Sequence, residues 1–107
     1  MNKIVKIALG ATLILSLGAT VASADAAKGQ KLYSKKLKKA CGFSGAVFAG
    51  KHTQDEWSDI QDGGKMGDEI KALCPSVEDK ALKSKYLKDY YDFAHDFASD
   101  SGNVPSC

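Results

Sequence analysis

Between residues 82 and 97 the large apolar side chains recur at Leu82, Tyr86, Tyr90, Phe93, Ala94 and Phe97. Steps of three and four residues put them on one face of an α-helix, which Leu87 and Tyr91 widen. A stripe this rich in rings has to be covered by other elements, because each ring buries a large apolar area. That requirement governs what the remaining residues can do.

Those residues read as helices, with no convincing strand. A first helix is expected over about 26–41, with Asp25 able to cap it and Ala26, Gly29, Tyr33, Leu37, Ala40 and Cys41 on its apolar stripe. Gly29 lowers helix propensity and lets another helix approach closely. Residues 42–51 read as a loop holding Gly42, Gly45 and Gly50, with Phe43, Val47 and Phe48 docking inward. Thr53-Gln54-Asp55-Glu56 is a capping box that starts a second helix, and His52 before the cap can pack against Trp57 as a staple. Gly63-Gly64 ends it. Met66, Ile70, Leu73 and Cys74 outline a short third helix over about 67–74, stopped by Pro75. Ser76-Val77-Glu78-Asp79 opens the fourth, with a break near Lys83-Ser84 and an end at Ser101-Gly102-Asn103. Val104-Pro105-Ser106-Cys107 reads as an extended tail.

The N-terminus follows a different rule. Lys3 and Lys6 precede an uncharged run over residues 7–21, and Ala22-Ser23-Ala24 is a small-residue cleavage site. Residues 1–24 are therefore expected to be a cleaved secretory signal, the run being too short for a membrane span. Residues 25–107 are expected to form one domain of 83 residues, a size that buries about 60–65% of the unfolded surface and often needs a staple or a cofactor. Export places the chain in an oxidising compartment where disulfides persist. Cys41, Cys74 and Cys107 allow one bond, as Cys41–Cys74, Cys41–Cys107 or Cys74–Cys107, and leave one thiol over.

Charge is unevenly distributed. Residues 26–54 hold seven lysines and no acid, whereas residues 55–107 hold twelve acids and six lysines. Lys28, Lys31, Lys35, Lys36, Lys38 and Lys39 make one side of the first helix positive, either as a solvated face or as a docking face for an acidic partner. Nucleic acid is a poor partner for an exported chain without arginine or an aromatic-interleaved strand. Catalytic signals are missing: there is no Ser/His/Asp constellation, no phosphate-binding glycine loop and no Cys-x-x-Cys pair. The carboxylate pairs Asp55-Glu56 and Asp68-Glu69 are explained by helix N-terminal enrichment.

The run Gly29-Gln30-Lys31-Leu32-Tyr33-Ser34-Lys35-Lys36-Leu37-Lys38-Lys39-Ala40-Cys41-Gly42 resembles the opening helix of the small single-haem c-type cytochromes. In that family a Gly-x-x-Leu-Tyr helix runs into Cys-x-x-Cys-His-Gly, whose thiols bind haem and whose histidine ligates iron. Here Leu37 and Ala40 stand at the thiol positions, Cys41 at the ligand position, and Gly42 is kept. The order of elements is similar to the family's across nearly all of residues 25–107. The resemblance implies an all-α, cytochrome c-like bundle of about four helices, the first and last crossing, with covalent haem attachment lost. It also favours Cys41–Cys107 among the three pairings, because a tail folding back along the last helix reaches the end of the first. The vacated haem volume would be filled by aromatics, with Phe43, Phe48, Trp57, Tyr86, Tyr90 and Phe93 available.

These readings converge on an exported, non-enzymatic accessory or binding protein of the periplasm with no cofactor, meeting an acidic periplasmic or respiratory partner. One alternative is an electron carrier holding haem non-covalently, with Cys41, His52, Met66 and His95 as ligand candidates. Met66 follows Gly64-Lys65, a little like the family's methionine loop, but reads more simply as a core residue; His95 lies beside Asp92 and Asp96 on a helix face. A second alternative is thiol redox chemistry at the unpaired cysteine.

Overall fold

A computed structural model describes residues 24–105 and residue 107. The expected leader, residues 1–24, lies outside the described residues apart from Ala24. The protein is all-α: among the described residues every regular element is helical. Helix α1 spans Ala24–Leu32 and continues through a π-turn, Tyr33–Leu37, into α2, Lys38–Cys41. A short α3, Gly45–Ala49, follows, then α4, Gln54–Asp62, and α5, Met66–Leu73. A 3₁₀ turn, Asp79–Leu82, leads into α6, Ser84–Asp96. No helix among the described residues is long and apolar enough to cross a membrane.

The ends of these helices follow from local chemistry. Gly42 closes α2 at φ 80°, a left-handed conformation that a β-carbon would strain. The capping box at α4 is complete: Thr53 Oγ1 accepts from the Glu56 amide and Glu56 Oε1 accepts from the Thr53 amide. The Thr53 amide, the nearby His52 and the Thr53 side chain together hold the Glu56 carboxyl below its usual range. The staple is also present, with the His52 and Trp57 rings edge to face at 4.7 Å.

Two expectations about the elements need correction. Residues 42–51 are not purely loop, because Ser44 caps α3 by accepting from the Val47 amide. The last helix ends at Asp96 rather than near residue 101. Beyond it, the Ser99 amide donates to the His52 carbonyl and the Asn103 side chain donates back to the Asp96 carbonyl, so the chain turns toward α4.

The central packing is α1 against α6. They pack tightly at Gly29, where a β-carbon would overlap the Asp89 carbonyl oxygen. Tyr33, Leu37, Phe48, Trp57, Met66, Ile70, Cys74, Tyr90 and Phe93 are fully buried. Phe43 and Tyr86, expected as core fillers, are only partly buried. The polar atoms of the buried rings are satisfied: Trp57 Nε1 donates to the Ala49 carbonyl at 2.9 Å, Tyr33 to that of Phe43 at 2.6 Å, and Tyr90 to that of Ala81 at 2.8 Å.

Burial pushes the Tyr33 phenol far above its ordinary range, and the neighbouring Cys107 adds to the shift. Burial does the same to Tyr90, reinforced by Tyr86 and Asp89. A phenol raised in the folded state contributes its full stability below the unfolded-chain value of 10.0 and loses it as pH climbs beyond. In an ultraviolet titration followed alongside circular dichroism, two of the four tyrosines are expected to ionise only as helix is lost. Ionisation of all four near pH 10.0 with the helices intact would contradict this burial.

Candidate functional site

The lysines of the first helix do not form one uniform face. Lys28 pairs with the nearly buried Asp89 across the α1–α6 contact at 3.4 Å. Lys31 lines a small surface cavity with Ala27, Gln30, Ser34 and Lys35. Lys35, Lys36 and Lys39 line a larger open cleft of about 670 Å³ on the other flank. Lys38 lines neither cavity.

The far wall of the large cleft comes from elsewhere in the chain. Ser76, Glu78, Lys80, Ala81 and Lys83 form it, and Tyr86 lies at its side. Five lysines from two segments about forty residues apart therefore share one recess with a single carboxylate, Glu78, which Lys80 already meets at 3.2 Å. Among the described residues no carboxylate pairs with Lys35, Lys36, Lys39 or Lys83. The Lys36 and Lys85 ammonium groups stand 4.8 and 5.2 Å from the Tyr86 ring centre, a cation–π arrangement.

Three tethers hold that far wall. The Cys41–Cys74 disulfide joins the end of α2 to the residue after α5, two positions before Ser76, with the Cα atoms 4.4 Å apart. Lys71 on α5 meets Asp79 at 2.7 Å, a contact that raises the Lys71 pKa and lowers that of Asp79. Beneath the wall, the Tyr90 hydroxyl holds the Ala81 carbonyl. The recess is thus built before any ligand arrives.

The disulfide corrects the expected Cys41–Cys107 pairing. The tail returns to a different place: the Cys107 carbonyl accepts from the Ala46 amide at 3.4 Å, and its sulfur lies beside Gly45 at the start of α3. Cys107 is the free thiol and is partly exposed.

Three of the four haem-ligand candidates are engaged with other side chains. Cys41 has its sulfur in the disulfide. His52 Nε2 contacts Glu69 at 2.7 Å and its Nδ1 lies 3.5 Å from Glu56. Met66 is buried within the continuous apolar cluster. His95 Nδ1 contacts Asp96 at 3.3 Å, its ring packs near Tyr91, and Asp92 is engaged by Lys88 at 2.8 Å. None of the four lines either cavity, and no cluster of three metal-ligating side chains forms among the described residues.

Lys80, Lys83, Lys85 and the exposed role of Tyr86 were missed by the sequence reading. The only available signal was conditional: once Cys41 and Cys74 are bonded, the residues beside each must face one another. Comparison with known proteins finds no matching family model, no matching curated protein and no matching solved structure.

Proposed function

We propose that this chain is an exported, haem-free, cytochrome c-like domain of the cell envelope that acts as a non-enzymatic binding protein for an acidic periplasmic or respiratory partner. The observation that carries the reading is the convergence of Lys35, Lys36, Lys39, Lys80 and Lys83 on one pre-shaped recess. Concentrating like charges destabilises a small fold through self-repulsion, and steering a partner of opposite charge gives that arrangement a use. The loss of haem attachment is supported by Leu37, fully buried in the aromatic cluster, and by Cys41, committed to a disulfide.

The test is made in the native host. A photo-crosslinking residue placed at position 36 is expected to capture an acidic envelope protein, and the yield should collapse when Lys35→Glu and Lys39→Glu are added. The purified protein should begin at Asp25 and show no Soret band. Crosslinks that survive the charge reversal, or a haem spectrum, would remove the basis of this reading.

A further inference from the structure

We propose that the cleft between the end of the first helix and residues 76–83 is a receptor for an acidic peptide segment of the partner. In it, Lys36, Lys39, Lys80 and Lys83 take the peptide's carboxylates and the Tyr86 ring packs on its stem. This deepens the docking reading and rests on it.

The recess has the volume of a ligand site, about 670 Å³, and it is open to solvent, which suits a chain passing through better than an enclosed small molecule. Its charge is almost wholly of one sign, since the one carboxylate in it, Glu78, is already met by Lys80. Complementary charge, rather than apolar contact, therefore selects the occupant. The site is also preorganised. The disulfide and the Lys71–Asp79 pair fix the far wall, while Tyr86 gathers Lys36 and Lys85 on its ring. The backbone of both walls is set before binding, so the ordering left to be done is that of the lysine side chains. A bilayer surface fits less well, because the lysines line a recess between two segments rather than a flat face.

The experiment compares two double charge reversals of equal net charge. Lys80→Glu with Lys83→Glu alters the far wall, whereas Lys31→Glu with Lys38→Glu alters the first helix outside the cleft. All four side chains are exposed, so both variants should keep the wild-type circular dichroism. Binding of a fluorescein-labelled oligo-glutamate peptide is followed by anisotropy at low and physiological salt. The wall variant is expected to weaken binding by about tenfold or more, the helix variant by about threefold at most. Salt should weaken the wild type more than the wall variant.

Equal weakening by both variants would show attraction by the whole face and sink the receptor, leaving the crosslinking result to decide the docking reading. Absence of peptide binding to the wild type would sink it in the same way. Pyrophosphate competing better than the peptide at equal charge would make this a phosphate site. Cosedimentation with phosphatidylglycerol vesicles that depends on Lys80 and Lys83 would make it a membrane site. Either result overturns the proposal.

Discussion

Replacing both Cys41 and Cys74 by serine is expected to lower unfolding stability by about 3–4 kcal/mol. The bond closes a loop of 33 residues, and the chain-entropy argument gives a value of this order for a loop that long. The loss is a large share of the total, because small domains hold only about 5–15 kcal/mol. Urea denaturation with and without reductant measures it directly. The oxidised wild type should unfold at higher urea than its reduced form, and the reduced form should match the double-serine variant. Identical midpoints for oxidised and reduced protein would show that the two sulfurs are not bonded. The damage should also be local: with the bond gone, the far wall of the lysine cleft loses its covalent tether and keeps the Lys71–Asp79 pair, the Tyr90 hydrogen bond and the burial of Val77 and Ala81.

Gly29→Ala is expected to destabilise by about 2–3 kcal/mol, against the usual direction for glycine in a helix. Two effects compete. Alanine improves helix propensity by about 1 kcal/mol. Its β-carbon, however, would overlap the Asp89 carbonyl oxygen and sit 2.8 Å from both the Asp89 carbonyl carbon and the Phe93 β-carbon. Two of those atoms belong to the backbone, so no rotamer change can relieve the overlap. Helices α1 and α6 would have to separate, uncovering Tyr33 and Phe93, both now fully buried. Steric loss therefore outweighs propensity gain. A raised or unchanged urea midpoint in Gly29→Ala would mean that α1 and α6 do not touch at this position.

What could be read in the chain depended on how local its cause was. The capping box at Thr53, the His52–Trp57 staple and the stop at Gly63-Gly64 rest on residues within a few positions of one another, and each forms as read. Gly29 was readable as a point of close approach, since a helix-weakening residue on an apolar stripe needs a packing reason. Helix α3 was hidden because three glycines in ten residues mask the single capping serine, Ser44. The disulfide was hidden because its choice depends on where the α5 terminus and the tail come to rest, which is a tertiary outcome. The lysine cleft was half visible. Lys35, Lys36 and Lys39 stand out in an acid-free stretch, but Lys80 and Lys83 follow Glu78 and Asp79 closely in sequence, which hides them.

The π-turn at Tyr33–Leu37 sets a rule about length rather than content. The Lys38 amide reaches back five residues to the Tyr33 carbonyl, so the helix carries one residue more than a regular turn holds there. Removing one residue within Tyr33–Leu37 would let the chain run as a regular α-turn there, with the segments on either side kept near their present register. The Cys41–Cys74 bond and the face that lines the recess would then be kept by a chain one residue shorter. Homologous chains that keep this architecture can therefore lose one residue between the glycine and the cysteine, and those that do should carry an unbroken α-helix where this chain has its π-turn.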